Sequence, residues 1–476
     1  MSNPRGECII SLEDVEVHFE DSSDSGGFFG LFSDPDTVHA VDGISLDIHE
    51  NEMIALVGES GCGKTTLGKT SIGLQRPTGG SITYRGQDIW EAKDGEGEID
   101  IPFREIRKSL QIIHQDPGSA LNPNRKVMTI LESPLKKWEK HLSKDDRAAR
   151  ILGLLERVGM SPPDDYAYRY PHQLSGGEKQ RVALIRALLM NPDLILADEA
   201  ISALDVSLRI EMMDLMHELQ DAFNTSFLFI SHDFSNARYL CEKVGGRIGV
   251  MYLGELVEIG TAAEITQNPQ HPYTKSLVWA TPDFESINRE DKMPIRKIDI
   301  PDPVNPPSGC RFHTRCPEVI QPEGLDLDQQ QWGRVLNLRQ AIEEDRVELD
   351  RLREQAADED VLEDGSEDEL EVPLEDLVAE IRLDYGLEDP LSQGDAESTL
   401  DDAVRMVATG KREEPIETLR SLFTTPCEEI EPPAESVGTD HTVACLLHQD
   451  EYGTSDAVSD TDGDSDTGHE SGAADD

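Results

Sequence analysis

The chain has 476 residues and a formal net charge of −53, which is long for one ordinary compact domain and short for three. Residues 1–320 hold 50 acidic and 33 basic side chains, net −17, whereas residues 321–476 hold 46 and 10, net −36. That balance excludes bulk nucleic-acid affinity, which needs clustered Lys and Arg, and the lack of any run of about 18 apolar residues excludes a transmembrane helix.

The opening "MSNPRGECIISLEDVEVHF" lacks the charged-then-apolar pattern of a signal peptide, so the expected location is the cytoplasm. Seven cysteines in such a chain point to thiols or metal ligands rather than a disulfide framework. Few lysines among many carboxylates suit a salt-rich cytosol, where screening shortens to about 3 Å at 1 M, and a halophilic origin is the expectation.

Residues 9–19 alternate as a strand, and the Ser/Gly/Asp-rich residues 21–36 read as a loop. "ISLDI" (44–48) and "MIALVG" (53–58) read as strands, the second more buried, and a helix follows Lys64 to about Leu74. "PTGGSITYRGQDI" suggests a turn and hairpin, and residues 104–170 look mainly helical with breaks at Pro117, Pro123 and Pro162-Pro163. "LILADE" (194–199) and "SFLFISHD" (226–233) are short apolar runs ending in polar residues, as strands of a parallel sheet do. The stretch from Glu258 reads as a helix with a proline-marked exit. Val335, Leu338, Ile342, Leu349 and Leu352 follow heptad-like spacing on one helix, and the tail after residue 447 has almost nothing to bury, so disorder is expected.

The chemistry concentrates in a few stretches. "GESGCGKTT" fits the phosphate-loop pattern with Gly58, Gly63, Lys64 and Thr65, between a buried strand and a helix. Glycines let several backbone N–H groups face one anion, Lys64 adds a cation at the β/γ-phosphates, and the Thr65 hydroxyl can ligate Mg²⁺. The nucleotide-contacting set is Gly58, Ser60, Gly61, Gly63, Lys64, Thr65 and Thr66. In "LILADEAISALD", Asp198 at a strand end can aim a carboxylate at the Mg²⁺ shell, and Glu199 can polarise the attacking water. In "LSGGEKQRVALIRALL", Ser175, Gly176 and Gly177 open a helix with bare N–H groups, a second anion site. One phosphate loop does not need two such sites for the same ATP, so the second is expected to face the γ-phosphate held by another subunit.

The ordered set "GESGCGKTT", "QDPGSALNP", "LSGGEKQRVALIRAL", "LILADEAISALD" and "FISHD" resembles the ATP-binding subunits of ABC transporters. "VMYLGELVEIG", "NPQHPYTKSL" and "PPSGCRFHTRCP" are similar to the oligopeptide/dipeptide import branch, over about residues 9–316 and again over 427–447. The resemblance implies an α/β P-loop NTPase core with an antiparallel β subdomain, a helical subdomain and a C-terminal extension. It divides the chain into an ATPase domain (1–260), an extension (261–320), an acidic, partly helical insertion (321–426), a second part of the extension (427–447) and an acidic tail (448–476). By motif, Gln115 senses Mg²⁺ and the membrane partner, Asp205 lies at the dimer interface, His232 touches the γ-phosphate, and Phe19 stacks on adenine. The implied machine is an ATPase at the cytoplasmic face of the membrane. Its partners are two permeases, a second ABC ATPase (heterodimer favoured over homodimer) and, indirectly, an extracellular solute-binding protein. Nickel or another small solute is the alternative cargo, and a soluble ABC ATPase the alternative class; a single phosphate loop and an acidic surface argue against the latter.

Cys310 and Cys316 lie in "CRFHTRC", and Cys427 and Cys445 follow after the insertion. The family carries a similar four-cysteine region, in some members resembling a [4Fe–4S] ligand set; four thiolates can hold such a cluster or a tetrahedral zinc. The long spacer between the pairs adds only roughly 2–3 kcal/mol of loop-closure cost and does not forbid the site. His271 in "HPYTK" reads as structural, and Cys8, Cys62 and Cys241 have no partners at ligand spacing. The sequence assigns the insertion no role.

Overall fold

A computed structural model describes residues 6–20, 37–116, 121–281, 296, 300–356 and 372–452. The expected loop at 21–36 lies outside the described residues, as does the expected disordered tail from residue 453 onward. In chain order the strands are β1 (Cys8–Glu20), β2 (Thr37–His49), β3 (Met53–Val57), β4 (Gly79–Tyr84), β5 (Gln87–Asp88) and β6 (Leu110–Ile113). They continue with β7 (Leu194–Asp198), β8 (Ser226–Ile230), β9 (Arg247–Tyr252), β10 (Glu255–Thr261), β11 (Ala434–Ser436) and β12 (Thr442–Ala444).

Every residue of β3, β7, β8 and β9 is buried. Strands covered on both faces read as continuous apolar runs, and these four are mutually parallel at the centre of an eight-stranded sheet ordered β11-β12-β10-β9-β3-β8-β7-β6. Their period-two alternation feeds two cores. Ile54, Leu56, Leu196 and Ile230 face the core shared with the antiparallel sheet β2-β1-β4-β5. Ala55, Val57, Ile195, Ala197 and Phe229 face the helical side. A helical subdomain packs there, built from Val127–Trp138, Lys144–Arg157 and Pro163–Tyr168. Ser143 starts its second helix with a capping box to Asp146. No described helix is long and apolar enough to cross a membrane.

Three regions depart from the sequence reading. The stretch 104–170 is not wholly helical: "LQII" forms β6, because pairing alongside β7 offers four residues a ladder that a helix turn would forgo. The stretch from Glu258 continues as β10 before the short helices Ala262–Gln267 and Pro272–Ala280. The heptad-like stretch is two helices, Gln329–Glu343 and Leu349–Ala356, separated by a turn in which Asp345 takes φ 53°. Its apolar positions are core: Val335, Leu338 and Leu352 are fully buried.

The acidic segment is packed rather than solvated. Its helices Gln329–Glu343, Leu374–Asp384, Gly394–Ala408 and Glu413–Phe423 join the same core as the ATPase strands. Trp332, fully buried, donates from Nε1 to the Val319 carbonyl at 3.0 Å, and Thr425 donates to the Ile320 carbonyl at 2.7 Å. The chain then returns to the central sheet, where β12 pairs with β10. A fully buried pair, His441 Nε2 with Glu258 Oε1 at 2.6 Å, locks that junction. Burial pushes the Glu258 carboxyl up, but His441 and the N–H groups of Gln270 and His271 hold it below its ordinary range.

Truncating Trp332 to Ala is expected to cost about 3–5 kcal/mol and to speed reaction of Cys427 with a thiol reagent. A denaturant melt and labelling kinetics check this; an unchanged midpoint would place the inserted helices outside the cooperative core.

Candidate functional site

The phosphate loop joins β3 to the helix Lys64–Ser71. Two of its glycines are sterically required. Gly63 has φ 99°, and a Cβ there would lie 1.9 Å from the Ala40 carbonyl oxygen; at Gly58 (φ 149°) it would lie 2.1 Å from that of Met251. Backbone from β2 and β9 therefore walls the loop. Lys64 is buried, its ammonium donating to the carbonyls of Gly58 (2.9 Å) and Glu59 (2.8 Å).

Because β3, β7 and β8 run parallel, their following residues meet at one sheet edge. Thr65 donates to Asp198 Oδ1 at 2.8 Å. Glu199 takes φ 48°, a left-handed conformation costly for a non-glycine residue, and its N–H donates to the Ile230 carbonyl at 3.2 Å. That turn swings the carboxylate between two partners: Gln115 donates from Nε2 at 2.9 Å, and His232 Nδ1 lies 3.3 Å away. Five residues from four motifs thus converge. The Thr65 hydroxyl and the Asp198 carboxylate, bonded to each other, offer hard oxygens that fit Mg²⁺, and Gln115 reaches the neighbouring Glu199.

The remaining expected residues lie apart from that edge. Ser175 and Gly176 are exposed while Gly177 is buried; Ser175 caps the helix Gly176–Leu188 reciprocally with Glu178. Asp205 caps the helix Val206–Phe223, accepting from Leu208 N–H at 3.0 Å, and that bond first of all holds its carboxyl below the ordinary range. Val206 and Ile210 beside it are exposed apolar side chains. Phe19, near the end of β1 opposite Val38, is 41 % exposed. Ser60 and Gly61 are exposed at the loop tip, and Thr66 follows Thr65 in the helix.

The four late cysteines come near one another from both sides of the insertion. Cys310 N–H donates to the Cys427 carbonyl at 2.8 Å, and Cys316, Cys427 and Cys445 are buried. Burial pushes all four thiols up, Cys445 to about 12. The Cys316 thiol is raised further by the other three. Among the described residues no three of these sulfurs lie within 4.8 Å of one another, whereas a zinc tetrahedron with bonds of about 2.3 Å sets sulfurs about 3.8 Å apart.

Several residues in the site's walls carry no motif signal. His18, His39 and Asp42 lie within 4.8 Å of one another, and Arg311 of the cysteine segment bonds Asp42 and the Leu253 carbonyl. Burial alone would raise the Asp42 carboxyl, but Arg311, His18 and His39 hold it low. Arg315 of the same segment pairs with Glu59 in the phosphate loop. His271 is structural as expected: burial pushes it down to about 4, and neutral Nδ1 accepts the Tyr273 N–H at 3.0 Å. Nothing local in the sequence links these residues; the folded sheet brings them together.

A phosphate loop backed by a parallel sheet, facing an Asp-Glu strand end and a histidine, with an antiparallel sheet and a helical subdomain alongside, defines an ATP-binding cassette ATPase. Family models agree. Residues 41–202 match "ABC transporter", 257–322 match "Oligopeptide/dipeptide transporter, C-terminal region", and 329–440 match "Domain of unknown function (DUF8228)". The chain is 41% identical over 321 residues to "Oligopeptide transport ATP-binding protein AppF" of Bacillus subtilis, covering 67% of this chain and 92% of that protein. It is 39% identical over 316 residues to "Oligopeptide transport ATP-binding protein OppF" of Salmonella typhimurium, covering 66% and 90%. To "Putative oligopeptide transport ATP-binding protein YkfD" of Bacillus subtilis it is 45% identical over 289 residues, covering 60% and 83%. Among solved structures it is similar to cbiO1 from Clostridium perfringens (TM-score 0.45, 25% identity, 55% of this chain and 92% of that one). The chain belongs to the oligopeptide/dipeptide transport ATP-binding family of ABC transporters.

Replacing Gly63 with Ala is expected to weaken MgATP binding more than tenfold, because the Cβ meets backbone. Gly86→Ala, with φ 80° and nothing within 4 Å of its Cβ, is the strain-only control, costing about 1–2 kcal/mol of stability without loss of MgATP affinity. Titration with a fluorescent ATP analogue separates the two.

Proposed function

We propose that this chain hydrolyses MgATP in a sandwich with a second ABC ATPase and so drives uptake of oligopeptides or dipeptides through two membrane permeases, from the cytoplasmic face of the membrane. The observation that carries the reading is Glu199, gripped by Gln115 and His232 beside the Thr65–Asp198 pair. In this reading Lys64 turns from its two loop carbonyls to the β/γ-phosphates. Thr65, Asp198 and Gln115 hold Mg²⁺, which when bound neutralises phosphate charge. Glu199 orients and polarises the attacking water, and His232 contacts the γ-phosphate. Gly58, Ser60, Gly61, Gly63 and Thr66 line the phosphates, and Phe19 stacks on adenine. Positioning and electrostatics supply the rate, since the loose phosphoryl transition state needs little covalent help.

The exposed Ser175 and Gly176, with Gly177 behind them, suit capping of a neighbour's nucleotide. The bare Val206 and Ile210 beside Asp205 suit a surface covered by that neighbour. A different but related ATPase is favoured as the neighbour, with an extracellular solute-binding protein delivering cargo to the permeases. A groove of about 680 Å³ lined in part by Phe103, Arg107, Gln111, Ile130 and Trp138 suits docking of a permease segment. Peptide cargo is supported by relatives named for oligopeptide transport.

The four late cysteines suit a [4Fe–4S] cluster better than zinc. They come from both sides of the insertion, and no three of their sulfurs, among the described residues, lie as close as the roughly 3.8 Å that a zinc tetrahedron sets, whereas a larger cluster spans wider gaps.

Glu199→Gln in the assembled complex is expected to lower ATP turnover at least about 100-fold while MgATP still binds. Equal turnover by wild type and variant, measured as phosphate release, would overturn the assignment. Anaerobically purified wild-type protein is expected to carry iron and acid-labile sulfide in equal amounts, lost in Cys316→Ser; zinc without sulfide would overturn the cluster.

A further inference from the structure

We propose that the cysteine segment Cys310–Cys316 is a positioning element of the phosphate loop, acting through Arg315 on Glu59, and that it thereby sets affinity for MgATP. The proposal rests on the reading of this loop as the MgATP site; wild-type binding in the assay below tests that reading separately.

Glu59 sits at one of the four unspecified positions of the phosphate-loop pattern, so the motif itself asks nothing of it. In the fold it is held at three points. Its carboxylate takes both terminal nitrogens of Arg315, at 2.8 and 2.9 Å. Its N–H donates to the Tyr273 hydroxyl at 3.0 Å. Its carbonyl accepts from Lys64 at 2.8 Å. Two of these three anchors come from the C-terminal extension, more than 200 residues along the chain.

The anchors are themselves rigid. Arg315 is 8 % exposed and also donates to the Tyr252 hydroxyl at 3.3 Å. The rings of Phe312, Tyr252 and Tyr273 pack mutually, with centroids 4.8 to 5.2 Å apart. A planar guanidinium in a bidentate pair fixes orientation as well as distance, which a flexible ammonium does not. The loop must present several backbone N–H groups to one anion at once, so restricting the Glu59 peptide before ATP arrives removes an ordering cost from binding. The partner Glu59 uses is adjacent in sequence to Cys316, so the thiol pocket and the loop share one short piece of backbone.

The test uses the full-length chain with variants Arg315→Gln, Arg315→Lys, Glu59→Gln and the Glu59→Gln/Arg315→Gln pair. Equilibrium MgATP binding is read with a fluorescent analogue beside thermal unfolding, and KM against kcat in the assembled complex. Arg315→Gln and Glu59→Gln are each expected to weaken MgATP about tenfold and raise KM with kcat little changed. The double variant is expected to be no weaker than either single one, and Arg315→Lys to recover only part of the loss. Unchanged MgATP affinity in a folded Arg315→Gln, or additive losses in the double variant, would overturn the proposal. If Arg315→Gln does not fold, Glu59→Gln, which removes only the charge that the guanidinium meets, decides. A several-fold loss of affinity supports the brace, and unchanged affinity overturns it.

Discussion

The parallel alignment of β3, β7 and β8 is the constraint from which the site follows. Strands buried on both faces are apolar along their middles, so polar chemistry gathers where each one ends. Here the three ends lie at one edge, and the next residues are the phosphate loop, the Asp198-Glu199 pair and His232. The strained backbone at Glu199 is tolerated because β7 and β8 hold it from both sides, its N–H bonded to the last residue of β8. The side-chain contacts that gather Thr65, Gln115 and His232 are consequences of that shared edge.

The C-terminal part of the chain is built into this core rather than hung from it. β12 extends the central sheet, and His441 meets Glu258 at that junction, both buried. A buried polar group left without its partner is costly, so the pair favours this way of docking over others. Arg311 and Arg315 act similarly on the other side of the ATPase domain, one against Asp42 and the other against Glu59. The extension therefore touches the antiparallel sheet and the phosphate loop at once. The acidic helices between the cysteine pairs pack on one another and on the extension, with Trp332, Leu338 and Phe423 buried.

The cluster at the strand ends could be anticipated because each of its motifs is a short run of neighbours in sequence. A glycine loop flanked by a strand and a helix, or two acids at the end of an apolar run, is a local pattern with a local physical reason. The failures have a reason too. "LQII" could not be told from a helix by its own period, since four residues carry no periodicity and only β7 beside it decides the matter. The heptad-like positions at 335–352 were correctly apolar but not one helix, because the turn at Asp345 depends on packing rather than on spacing. Glu59, Asp42, Arg311 and Arg315 gave no signal at all: each is an ordinary charged residue until a partner far along the chain is set against it.

The sequence by itself determined the class of chemistry, the order of the motifs and which strands had to be buried, because those rest on residue types and short spacings. Only the tertiary structure decided that the cysteine segment reaches the phosphate loop, that the acidic insertion packs as core, and that the chain closes back onto its central sheet. Those are contacts across long stretches of chain, and their partners are chosen by how buried charge and apolar surface can be matched in three dimensions, which no local pattern records.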